Sequence, residues 1–174
     1  MRDADILERL GELGLQLPAV PDPVASYVPV KRAGALAFVA GQIAMVDGRL
    51  LHPGRLGQQV SVGLGQEAAA RAGLQALSAI RDHLGGSFDR LVQLLQVTVY
   101  VAADADFVEH PTVANGASDA LVAVLGPGGR HARAAVGVAS LPLGACVEVA
   151  VIAEVSEEPD AMTSGGTAGP PPAA

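Results

Sequence analysis

Two charged residues interrupt segments that are otherwise apolar: Arg133 in HARAAVGVAS and Glu148 in ACVEVAVIAE. A charge in such a place is costly unless it has a partner. With the two-residue period of a strand, His131, Arg133, Ala135 and Gly137 fall on one face, and Ala132, Ala134, Val136 and Val138 on the other. Small neighbours leave space beside a guanidinium, whose planar fork matches the two oxygens of a compact carboxylate. Glu148 aligns with Cys146, Ala150 and Ile152. A tight reversal at 140–142 would set Arg133 and Glu148 nearly opposite one another on paired strands. The pair then has two readings: a binding site, or an ion pair that serves assembly and binds nothing.

Other reactive side chains point to less. Cys146 lies in an apolar strand with no histidine near it in sequence and reads as a small hydrophobe. His52, His83, His110 and His131 are scattered, with no Cys or carboxylate at ligand spacing, so no metal is expected. Of these only His131, beside Arg133, is a candidate for substrate contact. Neither GxGxxG nor GxxxxGK occurs, which leaves nucleotide binding unsupported, and no serine stands in a G-x-S-x-G context.

The elements that must position these residues follow from periodicity. Residues 3–15 carry Ile6, Leu7, Leu10 and Leu13 at helical spacing, weakened by Gly11 and Gly14, and predict a lead-in helix whose stability depends on docking. Residues 27–30 and 35–43 read as a hairpin around Ala33-Gly34, and 44–58, with Asp47-Gly48 and Pro53-Gly54, as loop and edge strand. A major helix is expected between Val60 and Leu84, a central strand over 91–102, a loop over 104–111, and a second helix from Val113 to Gly126. Strands at 132–139 and 146–155 complete the set. Two major helices against about six strands predict an α+β two-layer sandwich, helices on one face of the sheet. The other face, rich in Val and Ala, is expected to be buried against sister subunits. The division expected is 1–20 lead-in helix, 21–155 domain, and 156–174 a Gly/Pro/Ala-rich tail without fixed structure.

Composition narrows the function classes. The 174 residues are 50% hydrophobic, 17% charged and 3% aromatic, with one Cys and a net charge of -7. A single cysteine excludes an intrachain disulfide scaffold. The acidity, the lack of a basic stripe and the scarcity of stacking aromatics argue against a nucleic-acid partner. The apolar stretch 134–153 contains Pro142 and Glu148 and reads as two strands, not a membrane span. The charged N-terminus lacks a signal-peptide core, so a cytoplasmic location is expected.

At this point the chain resembles the YjgF/RidA family of small trimeric proteins, over about residues 22–155. The markers are Tyr27, Gly34 and Phe38-Val39-Ala40-Gly41-Gln42-Ile43, then Val97-Thr98-Val99-Tyr100-Val101 with Asp106-Phe107, and Asn115 on the second helix. The most specific is Arg133 followed by Val136, Val138, Leu141-Pro142 and Glu148, at the spacing R-x-x-V-x-V-x-x-L-P-(x5)-E. The resemblance implies a chorismate-mutase-like fold, a homotrimer with sites between subunits, and no cofactor. Members with this arginine hydrolyse reactive enamines and imines of the 2-aminoacrylate type to 2-keto acids and ammonia; some have also been labelled endoribonucleases. Carried over, Arg133 would hold the substrate carboxylate and Glu148 would activate water. Tyr27 and Asn115 would help close the pocket, with backbone groups near Gly41 and Ala135. The family's Ser before Gly-Gln is Ala40 here, a frequent Cys is Ala135, and a second Glu of the last strand is Ala150. The segments NGASD and GRHAR mark a divergent branch. Three readings are therefore carried forward: a deaminase, a non-catalytic trimeric binder of small carboxylates or keto acids, and a structural or chaperone-like assembly.

Overall fold

The computed structural model describes residues 2–20 and 26–156; the expected tail lies, but for Ser156, outside them. In chain order the elements are α1 (Asp3–Glu12), β1 (Val30–Ala33), β2 (Leu36–Ile43), β3 (Met45–Val46), β4 (Arg49–Leu50), α2 (Val62–His83), β5 (Leu91–Ala102), α3 (His110–Leu125), β6 (Ala132–Val138) and β7 (Val147–Val155). Five strands form one sheet in the order β1-β2-β7-β5-β6, and β3-β4 form a separate ribbon, so the expected sheet of about six strands divides into five and two. Only β5 and β6 run parallel. A parallel neighbour needs a crossover, and α3 supplies it.

This topology overturns the expected hairpin of the last two strands. β5 lies between β6 and β7, so Arg133 pairs with Val97 and Glu148 with Tyr100, on opposite edges of β5. The reversal at 140–144 carries the chain past β5 instead of folding it back on β6.

One face of the sheet is sealed by α2 and α3. Along β7, Val147, Val149, Val151, Ala153 and Val155 are buried, and they meet buried Val97, Val99 and Val101 of β5 and Ala37 and Val39 of β2. α2 starts where the Ser61 hydroxyl accepts from the Leu64 amide at 3.3 Å, satisfying one of the helix's orphan donors. Its Ala68, Ala69, Ala72 and Ala76 are fully buried, and their small size lets the helix lie close. Between the helices the approach is closer still: a Cβ on Gly116 of α3 would run into the Gln66 backbone of α2. The ribbon turns through Asp47 and Gly48, both at positive φ, as a tight two-residue hairpin requires.

The opposite face is open. Glu148, Ala150 and Ile152 of β7 share it with Phe38, Thr98, Tyr100, Ala134 and Val136 by register, and Leu36, Phe38 and Val136 there remain 36%, 41% and 43% exposed.

The lead-in helix ends at Glu12, earlier than the apolar spacing suggests, and Gly14 then turns the chain at φ +63. It docks through buried Ile6 and Leu10. Two 3.0 Å bonds join Arg81 to Asp3, whose Oδ1 also accepts from the Phe88 amide at 2.9 Å, and Arg9 donates to the Val124 carbonyl at 2.9 Å. The Arg81 guanidinium holds the Asp3 carboxyl below its ordinary range; burial, the next-largest effect, opposes it, and the Phe88 amide adds a smaller lowering. Among the described residues no helix is long and apolar enough to cross a membrane.

Candidate active site

Arg133 projects from β6, an edge strand, on the side of the sheet that carries α3. Its Nη1 donates to Asn115 Oδ1 at 2.8 Å and to Ser118 Oγ at 3.1 Å, and its Nη2 to the Pro111 carbonyl at 3.4 Å. Both Nη1 hydrogens are thereby used. The Nε–H and one Nη2 hydrogen have no acceptor among the described residues, and the side chain is exposed. Two donors with a solvent-facing edge are what a carboxylate fork requires.

The same helix explains the grouping. Asn115 and Ser118 stand three residues apart on α3 and so share a face, turned towards Arg133. Ala135 lies on the same side of β6, partly buried against the core. His131 reaches the cluster indirectly: Nδ1 lies 2.6 Å from the Gly129 carbonyl and Nε2 3.1 Å from Ser118 Oγ. Both ring nitrogens of His131 are thus engaged within the chain, beside the Arg133 cluster where the sequence expects it as a substrate contact. Ser118 carries no role in the sequence reading. Its spacing from Asn115 was the available signal.

Glu148 and Gly41 form the second group, on the open face. β2 bulges between Val39 and Gln42, and Ile43 then pairs with Glu148. A Cβ on Gly41 would overlap the Glu148 carboxylate, so the glycine makes the space that the carboxylate fills. Burial alone raises the Glu148 pKa above the ordinary value. Tyr27, 52% exposed, precedes the stretch in which the Pro29 carbonyl accepts from the Ala40 amide at 2.9 Å, which brings its segment next to Gly41.

The seven residues thus form two groups, Arg133-Asn115-Ala135-His131 and Glu148-Gly41-Tyr27. Two strand spacings, about 10 Å, and the thickness of the sheet separate Arg133 from Glu148, so no ion pair joins them within a protomer. α1 docks at Val124, about 9 Å along α3 from Ser118 and about 20 Å from Pro111.

The remaining candidates have other partners. Cys146 is buried and its thiol is pushed up to about 11 by desolvation, which leaves it un-ionised at neutral pH. His52 pairs with Glu67 at 2.9 Å, and His110 packs edge-on against Phe107. Among the described residues no three His, Cys, Asp or Glu side chains gather as metal ligands.

Known proteins share this architecture. The model of the family described as "YjgF/chorismate mutase-like, putative endoribonuclease" matches residues 7–155. Protein TCP17 of Trypanosoma cruzi is 40% identical over 152 residues, 87% of this chain and 94% of that protein. Among solved structures, Atu1372 of Agrobacterium tumefaciens, of unknown function, is 39% identical and superposes with a TM-score of 0.83, covering 88% of this chain and 94% of that one. A Shewanella oneidensis protein described as a "putative endoribonuclease" is 30% identical, with a TM-score of 0.82 over 86% of this chain and 99% of its own. With a family model spanning nearly the whole described chain, and with the strand order and two covering helices to match, this protein belongs to the YjgF/chorismate mutase-like family.

Proposed function

We propose that the protein is an enamine/imine deaminase whose site is completed by a second copy of the chain. The observation that carries the reading is the division just described: a carboxylate fork at a sheet edge, and a half-buried carboxyl of raised pKa on an open apolar face. Each half lacks what the other has. Packing the open face of one copy beside the β6 edge of the next buries Leu36, Phe38 and Val136 and sets Glu148 and Gly41 of one protomer before Arg133 of its neighbour. A cyclic homotrimer closes such a heterologous contact three times.

The chemistry follows from the groups. Arg133 binds the substrate carboxylate through its Nε and Nη2 donors, which fixes the imine carbon in front of Glu148. Glu148 takes a proton from water as the oxygen bonds to that carbon, and returns it to nitrogen. The C–N bond of the tetrahedral adduct then breaks as its hydroxyl proton passes, by way of Glu148, to the leaving nitrogen, giving a 2-keto acid and ammonia. A raised pKa makes Glu148 the better base. None of these steps calls for a cofactor.

Ala40, Ala135 and Ala150, where the family carries polar groups, favour a second reading: a binder that holds keto acids without activating water. RNA cleavage is disfavoured by a net charge of -7, which repels a phosphate backbone. The deciding test generates an imine in situ from an amino acid with a pyridoxal-phosphate lyase and lets the protein compete with semicarbazide. The deaminase diverts imine from the trap and Arg133→Ala does not. A trap yield unchanged by the wild-type protein across several side chains, with saturable pyruvate binding retained, selects the binder.

A further inference from the structure

We infer that Ser118 and His131 are positioning residues that hold the Arg133 guanidinium in its binding orientation, an inference that rests on Arg133 being the carboxylate anchor. Proton counting sets the direction of every bond in the chain. Arg133 has only donors, so Ser118 Oγ accepts from Nη1. The serine's single hydrogen is then free to donate, and His131 Nε2 at 3.1 Å is its acceptor. An accepting Nε2 places the ring proton on Nδ1, which donates to the Gly129 carbonyl at 2.6 Å. The chain runs from Arg133 through Ser118 and His131 to the backbone beyond α3 with no donor facing a donor.

Three features make it a brace and not incidental contact. Arg133 is exposed, and an exposed arginine otherwise samples many rotamers, a freedom it must lose on binding. Asn115 holds one Nη1 hydrogen at 2.8 Å and the Pro111 carbonyl takes one of Nη2 only at 3.4 Å, so Ser118, at 3.1 Å on the second Nη1 hydrogen, supplies the restraint that stops the guanidinium swinging. His131 in turn fixes Ser118, since a helical serine without an outside acceptor turns its hydroxyl back to the carbonyl four residues earlier, here that of Ala114. Gly129 is itself fixed, because a Cβ there would strike the Leu121 backbone at the end of α3.

The test measures pyruvate binding by calorimetry and imine turnover on the full-length oligomer, with Ser118→Ala, Ser118→Thr, His131→Phe and the double variant Ser118→Ala/His131→Phe. Losing the bond that pre-orders one rotamer-rich side chain predicts pyruvate affinity weaker by about threefold to tenfold, a KM raised by the same factor, and kcat within about twofold, because Glu148 is untouched. Ser118→Thr, which keeps the hydroxyl, restores affinity. The double variant binds as Ser118→Ala does, since His131 acts only through Ser118; additive losses overturn the chain. In the free protein, nitrogen-15 spectra of His131 show the Nδ1-protonated tautomer, and the Nε2-protonated form overturns the inference without reference to any ligand. If Arg133→Ala loses pyruvate while Ser118→Ala and His131→Phe keep wild-type affinity, the bracing falls and the anchor stands. If Arg133→Ala binds as wild type does, the anchor falls and the bracing with it.

Discussion

At the scale of single residues, the site depends on what each charge lacks. Arg133 is held through Nη1 and one hydrogen of Nη2 and open at Nε and the other Nη2 hydrogen, so Arg133→Lys keeps a charge but loses the fork. Imine kcat/KM is expected to fall by about tenfold to a hundredfold, read in the trap assay. Glu148 is raised by burial, with no cation of its own chain near enough to lower it. A base works only when ionised, so turnover rises with pH through the raised value and is lost below it. The acid limb of the kcat profile, where the bound carboxylate neutralises the neighbour's arginine, should therefore lie above the range of an exposed glutamate, and Glu148→Gln should remove the limb and about 10²–10⁴ of the rate. Gly41→Ala displaces the flexible end of Glu148 and not backbone, so it should fold with an unchanged melting temperature yet lose activity at least about tenfold. Arg133, Glu148 and Gly41 were legible in sequence because a charge in an apolar strand, and a motif around a glycine, leave marks in one dimension. Ser118 was not, because its role depends on a hydroxyl's hydrogen that only the neighbouring His131 orients.

At the scale of elements, periodicity located the strand 91–102 to the residue and α2 to within two residues at its start. α3 was read as starting after Pro111, yet it begins at His110 with the proline in its first turn, where a missing N–H costs nothing. That β6 pairs with β5 and not with β7 could not be recovered from alternation, since alternation fixes a strand's faces but not its neighbours; α3 crossing over to a parallel β6 decides that. α1 offers a clean separation of stability from function. Asp3 is lowered and Arg81 raised by the same pair of bonds, so their contribution is present above the ordinary carboxylate pKa and lost as pH falls through the depressed one. Asp3→Asn should cost about 1 kcal/mol, kept small by the partial exposure of both side chains. It should speed hydrogen exchange in α1 and leave imine turnover unchanged, since Asp3 bonds Arg81 and Phe88 and none of the residues that hold Arg133.

At the scale of the whole molecule, the open face and the divided site make the same demand. A protomer alone exposes apolar residues on a sheet without a cover and holds an anchor and a base that cannot meet. Trimeric assembly with sites between subunits, an expectation from resemblance, answers both at once, and its direct test is complementation. Arg133→Ala and Glu148→Gln subunits, each inactive alone, are co-expressed with different tags and purified as mixed oligomers. If every site takes Arg133 from one protomer and Glu148 from the next, each mixed trimer carries one rebuilt site in three with both groups intact, and imine diversion should return to about a third of wild type. Mixed oligomers no more active than either parent would mean that the two residues do not meet across an interface, and the proposed site would be wrong.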